Sequence, residues 1–226
     1  MPIIMRSPTK IIAFIALLFS VQTPFPPTFS ASLFTIPVQA ETLVDRQAEA
    51  DRLQQQGFEQ VQKNRQFDAA LESWQKALTI YQEIKDRRGE GRSLGNIGYA
   101  YFLLDDEDKA IEYLEQDLAI AREIKDRQEE ADALGNLGTV YYSLGNYTKA
   151  IDYHQQSLAI QQKLKNRRGE ALCLNNLVTA YRYLGEYAKA TEYEQQSFAI
   201  GPNQEEAAAP TRLWQLFKIV ERYGNV

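Results

Sequence analysis

The chain has 226 residues, 44% of them apolar and 24% charged, and a formal net charge of −5. That balance is ordinary for a soluble globular protein, and without any block of Lys or Arg it argues against nucleic acid or an anionic membrane surface as the partner. One cysteine, Cys173, and one histidine, His154, exclude an internal disulfide and a Cys/His zinc site.

The first element is an address. Arg6 and Lys10 precede an apolar run at residues 11–21 (IIAFIALLFSV), and Val38-Gln39-Ala40 stands before Glu41. This is the order of a secretory signal, residues 1–40, cleaved after Ala40. The run is well short of the roughly 20 residues that a membrane span needs, and the segment after it, residues 22–37, is long and proline-rich. The expectation is export to the periplasm or the exterior, with an uncleaved anchor as the alternative. Losing Arg6 and Lys10 takes the net charge from −5 to −7.

After a lead-in at residues 41–50, the chain repeats itself. Residues 91–130 and 131–170 share 17 identities in 40 without a gap, and residues 51–90 and 171–210 fall on the same frame. A fixed period of this length is the mark of a solenoid, in which each unit buries its apolar face only by stacking on the next. Within the third unit Leu134, Leu137, Tyr141 and Leu144 recur at helical spacing along a first helix, A, and Ile151, Leu158 and Leu164 along a second, B. Gly145 and Gly185 suit the left-handed residue that ends a helix, and Asp105 holds that place in the second unit. Asp86, Asp126 and Asn166 stand where the next A helix begins and are good N-caps. Gly98 and Gly138 are expected opposite Ala110 and Ala150, letting the two helices of a pair approach. Val178 replaces that glycine in the fourth unit, so its pair is expected to sit wider. The first unit fits only with a one-residue slip at Leu53 and Gly57.

The last element, residues 211–226, reads as the A helix of a fifth unit and so as a cap. Leu213, Leu216, Ile219, Val220 and Tyr223 form one apolar arc that Trp214 and Phe217 widen. The excess is a candidate surface for a second copy of the chain or another partner.

The wording Leu134-x2-Leu137-Gly138-x2-Tyr141…Ala150, and Leu94-x2-Ile97-Gly98-x2-Tyr101…Ala110, resembles the tetratricopeptide repeat. The 40-residue period is similar to the long-helix branch of that family, which includes Pins-type adaptors, kinesin light chains and exported cyanobacterial arrays, some of which precede a CHAT protease-like domain. The resemblance implies an all-α, right-handed α-solenoid of four helix pairs whose A helices line the concave side. It also implies binding of a protein or peptide with no cofactor.

On that architecture one stripe of the A helices faces the groove. It holds Asp132, Asn136, Thr139 and Ser143 in the third unit, Arg92, Asn96, Tyr99 and Leu103 in the second, and Leu172, Asn176, Thr179 and Tyr183 in the fourth. Asn96, Asn136 and Asn176 form a ladder. An amide offers both donor and acceptor, so it can pair with the main chain of an extended polypeptide whatever its side chains. Similar ladders grip peptides in the Pins-type and kinesin-light-chain-type relatives. The alternative is an interhelix structural role for the three amides. The carboxylate clamp of other tetratricopeptide domains needs lysines where this chain has Gly95, Gly135 and Asn175.

Catalysis finds little support. His154 has no nucleophile beside it in sequence and is expected to be a packing or surface residue, and Cys173, in the frame of Ser93 and Ala133, a small buried one. The reading is a non-enzymatic adaptor or scaffold that holds an extended polypeptide. A self-associating structural solenoid and a regulatory or truncated relative of a CHAT-bearing array are the alternatives.

Overall fold

The computed structural model of the protein describes residues 38–200. Among these residues eight α-helices follow one another: α1 (Val38–Asn64), α2 (Phe67–Glu83), α3 (Arg87–Leu103), α4 (Glu107–Glu123), α5 (Arg127–Ser143), α6 (Tyr147–Lys163), α7 (Arg167–Leu184) and α8 (Tyr187–Ala199). From α3 to α8 each helix packs on its neighbours in sequence, and α2 packs on α3. The odd-numbered helices also touch across repeats, α3 on α5 and α5 on α7. The architecture is an all-α solenoid. Residues 41–50, expected as a lead-in, are part of α1, which begins at Val38. The expected capping helix at residues 211–226 lies outside the described residues.

The turns explain the constant period. Each places one residue in the left-handed region: Arg65, Lys85, Asp105, Lys125, Gly145, Lys165 and Gly185, with φ between 51° and 82°. Glycine takes this conformation freely, and the lysines and Asp105 hold it at a cost on the order of 1 kcal/mol each. The following residue then serves two helices at once. The Asp126 N–H donates to Ala121 O at 2.9 Å and closes α4, while its carboxylate accepts from Glu129 N at 3.2 Å and opens α5. Asp86, Asp106, Asn146 and Asn166 do the same. Such a cap contributes about 1 kcal/mol.

The N-caps also fix the register between repeats. Gln47 donates to Asp86 at 3.3 Å, Arg88 pairs with Asp126 at 3.1 Å, and Asn166 donates to Gln128 at 3.2 Å. In each case the side chain stands at the same place in the repeat frame of one A helix, allowing for the extra residue of the first unit, and meets the cap of the next.

Inside a pair, a notch on A takes a large residue from B. A Cβ at Gly57 would stand 2.3 Å from the Trp74 indole, and one at Gly98 would stand 2.9 Å from Leu114 and 3.1 Å from the Ala110 carbonyl. Gly98 therefore meets Ala110 as expected. At Gly138 the nearest neighbour is the His154 ring, 2.6 Å from where a Cβ would be. In the fourth pair the exchange is reversed. Val178 fills its own notch as a buried core residue, and the counterpart of His154, Glu194, turns to Arg182 at 2.9 Å. Gly57 meets Trp74 as Gly98 meets Leu114, so the one-residue slip is real. It is absorbed at the end of α1, where Gln66 N donates to Gln60 O six residues back, against five at the other turns.

A second repeated device ties A to B. Tyr101 stacks on Tyr113, Tyr141 on Tyr153 and Tyr181 on Tyr193, with centroids 5.4–5.5 Å apart. Lys109, Lys149 and Lys189 sit over the A-helix rings at 4.6–5.2 Å, a geometry that adds about 0.5–1 kcal/mol where partly exposed.

Candidate functional site

The stripe read from the sequence lies on α3, α5 and α7, and the structure divides it. Arg92, Thr179 and Tyr183 are exposed, and Asn136, Thr139 and Asn176 are half-buried. Asn96 is only 8% exposed. Its amide donates to Gln54 Oε1 at 2.8 Å, and Gln54 Nε2 in turn donates to the Ser93 hydroxyl at 2.5 Å. Tyr99 is buried in the first core cluster beside Phe102, with its ring 5.9 Å away. Its hydroxyl is buried without a hydrogen-bond partner, and burial raises its pKa. Asn96 and Tyr99 thus serve the packing of the first two repeats, and the interhelix alternative describes Asn96.

The reason is one side chain. Allowing for the extra residue in the first unit, Gln54 stands on α1 where Gly95 stands on α3 and Gly135 on α5. From that position Gln54 reaches the asparagine of the next A helix. Gly95 and Gly135 have nothing with which to reach Asn136 and Asn176, and neither amide makes a hydrogen bond to another described residue. The Thr139 and Thr179 hydroxyls donate back to Gly135 O and Asn175 O, each at 3.0 Å, and so do not engage the Asn136 and Asn176 amides. An unmatched amide at a half-buried site favours a ligand that supplies its partners.

At the C-terminal end of the A helices Tyr183 of the stripe belongs to an aromatic cluster whose other members, Tyr142 and Tyr147, the sequence pattern did not single out. Tyr183, 64% exposed, lies 5.5 Å from Tyr142 edge to face and 5.4 Å from Tyr147, and Tyr142 lies 5.6 Å from Tyr147. At the N-terminal end lie half-buried acids. Burial, then Asp132 and Asp126, pushes Glu129 up to about 7; burial likewise takes Asp132 to about 6.

The remaining candidates are structural. His154 is fully buried and burial lowers its pKa to about 4, so its ring is neutral. Cys173 is buried, donates to the Ser157 hydroxyl at 3.2 Å, and is pushed up to about 11, chiefly by burial; a thiol so held is a poor nucleophile. Among the described residues no group of three or more His, Cys, Asp or Glu side chains is placed to hold a metal ion, and no helix is long and apolar enough to cross a membrane.

Comparison with known proteins agrees with this architecture. No curated protein matches the chain. Among solved structures it is similar to BtubC (BKLC) from P. vanneervenii, with a TM-score of 0.63 and 21% identity over 71% of this chain and 69% of that one. A Rap protein complexed with competence and sporulation factor gives 0.65 and 23% over 82% of this chain, which spans 51% of that protein. A kinesin light chain with nearly identical TPR-like repeats, from Podosopora anserina, gives 0.53 and 20%, covering 81% and 89%. The tetratricopeptide repeat family model matches residues 59–123 and 129–203, well over half of the sequence. With the 40-residue helix pairs and their stacking already established, this places the chain in the tetratricopeptide repeat family.

Proposed function

We propose that the protein is a non-enzymatic scaffold that holds an extended polypeptide against its A helices, reading main chain through Asn136 and Asn176. The observation that carries this is the contrast within one ladder: Asn96 is satisfied by Gln54, whereas the other two amides stand open on the same stripe. Binding therefore centres on the third and fourth repeats, with Tyr183 and its two tyrosine neighbours offering apolar contact at one end. The Rap protein complexed with competence and sporulation factor is a precedent for this fold in complex with a factor.

The ladder provides its own control. Asn136→Ala and Asn176→Ala are expected to weaken a captured partner by about 1–3 kcal/mol each for main-chain groups left unpaired, or roughly 5- to 150-fold. Their melting temperatures should hardly move, because alanine is the better helix former. Asn96→Ala should do the opposite, lowering thermal stability and leaving affinity alone. Titrations of the captured partner with melts of all three variants decide the matter. Equal affinity losses at all three positions, or destabilisation at Asn136, would remove the proposed site.

We also propose that the protein works outside the cytoplasm. The support is the charged, apolar and small-residue order of residues 1–40. The Ala40–Glu41 bond lies in the first turn of α1, so processing leaves that helix starting at Glu41. N-terminal sequencing of the exported protein is expected to read Glu41 first; a species in the cytosol that retains Met1 would defeat this localisation.

A further inference from the structure

The joint between the second and third repeats buries different chemistry from its neighbours. At the first joint Tyr81 of α2 fills the space over Gly89 of α3, and at the third Gln161 of α6 fills the space over Gly169 of α7. At the second joint the sizes are exchanged. Ala121 takes the place of Tyr81 and Gln161, and Glu129 takes the place of the glycine and is half-buried there.

One turn earlier on the B helix the contrast is sharper. Ser157 of α6 donates to the Ala131 carbonyl of α5 at 2.7 Å, and Ser197 of α8 donates to Asn175 Oδ1 of α7 at 3.0 Å. The 40-residue counterpart on α4 is Asp117. It is 1% exposed and faces Gly91, the counterpart of Ala131, and Gly95, the counterpart of Gly135 and Asn175. A Cβ at Gly91 would stand 3.2 Å from Oδ1, and one at Gly95 would stand 2.6 Å from Oδ2. Oδ1 has no hydrogen-bond partner.

A carboxylate can only accept, whereas a carboxylic acid also donates, which is what this position does in the next two repeats. The charged groups around it point the same way. Asp126, the N-cap of α5, and Glu129 and Asp132 within it act on Asp117. Arg88 and Arg92 of α3 face Glu129, Arg88 being paired with Asp126, and Arg168 of α7 faces Asp132. No cation among the described residues pairs with Asp117. Burial first, then the three acids, hold its carboxyl well above the usual range.

We propose that Asp117 is a carboxylic acid in the folded protein at neutral pH, donating to the main chain of α3 as Ser157 donates to that of α5, so that the second joint is a proton-binding site. Loss of the proton leaves a buried carboxylate with no donor and three acids beside it, and the joint loosens. The sign follows from linkage. Asp117, Glu129 and Asp132 all hold their protons more tightly folded than unfolded, so the folded chain binds more protons. Stability is full below the ordinary carboxylate range and falls as pH rises through about 6 and about 7 for Asp132 and Glu129, and through the raised Asp117 value.

The test uses the full chain with Asp117→Ser, which supplies the hydroxyl of the later repeats, and Asp117→Asn, which keeps the shape and cannot ionise. Infrared difference spectra of parent against Asp117→Asn at neutral pH should show a protonated-carboxyl carbonyl stretch in the parent alone. The folding constant of the parent should decline with rising pH more steeply than that of Asp117→Ser, by up to tenfold per pH unit for one proton. Asp117→Ser should also exceed the parent in denaturant midpoint increasingly as pH is raised above neutrality. Identical carboxyl bands in parent and Asp117→Asn, or an unchanged pH dependence in Asp117→Ser, would overturn the assignment.

Discussion

Trp74→Ala is expected to destabilise the protein by about 3–5 kcal/mol, the range for truncating a buried aromatic, and to do so locally. The indole is fully buried, meets Phe58 edge to face at 5.5 Å, fills the notch at Gly57 and donates to Gln54 O at 3.2 Å. Every one of these partners lies on α1. In a solenoid, stability is approximately a sum of unit and nearest-neighbour terms, so the loss should fall on α1 and α2 and fade along the array. Hydrogen exchange should show protection lost in residues 38–83 and kept in α5–α8. A uniform loss would show that the array unfolds as one cooperative body. The change reaches the candidate site as well, because Gln54 holds the Asn96 amide. Fraying α1 should free that rung and lengthen the open ladder, so weaker folding would accompany an extra polar contact for a bound polypeptide.

His154→Leu is the opposite case, a stabilising substitution in the core. Leu114 already occupies the equivalent space against Gly98. His154 Nδ1 is buried without a hydrogen-bond partner, which costs about 1–3 kcal/mol, and leucine removes that cost without changing the notch. The pH dependence identifies the cause. Burial lowers the ring from 6.5 to about 4, so the folded chain binds fewer protons and parent stability falls as pH drops through that window. The advantage of the variant should therefore widen between about pH 7 and pH 4.5, by an amount on the order of 3 kcal/mol at most. Urea midpoints of both proteins at the two pH values measure it. A constant gap would mean that the gain is packing alone. His154 acts against the three raised acids, and comparing variants with parent at each pH keeps the two trends separate.

The helical frame was legible because both signals that define it are local. Apolar spacing of three and four residues and an Asp or Asn before the second, third and fourth A helices recur every 40 residues, and each of those caps closes the bond expected of it. Glycines at positions 145 and 185 marked two left-handed turns. Lys85, Lys125 and Lys165 hold the same conformation unannounced, since lysine has no preference for it and the cost is met by the bonds on either side. Long-range size exchanges were harder to read. The His154 ring stands nearest Gly138, and Val178 fills the same place in the fourth unit while Glu194 turns to Arg182, because which side chain fills a notch is settled between helices and not within one. The asparagine ladder was visible as a pattern, but its occupancy was not. Gln54 sits outside the 40-residue frame by the residue that α1 gains, so nothing in the alignment of units placed it beside Asn96.

The shared turn residue has a consequence for how such a chain can change length. Because one side chain and one N–H at positions 86, 126 and 166 join outgoing and incoming helices, a cut made at any of these positions is chemically equivalent to a cut at the others. Recombination between misaligned copies would then splice Asn166 directly to Arg127 and still deliver a complete turn, since asparagine and aspartate cap alike. The array can grow or shrink in whole quanta with no novel junction to be accommodated, and each added quantum of the third type brings another unengaged amide. The first unit stands apart from this exchange, because its additional residue is taken up at its own α1–α2 turn and would bring that different turn with it.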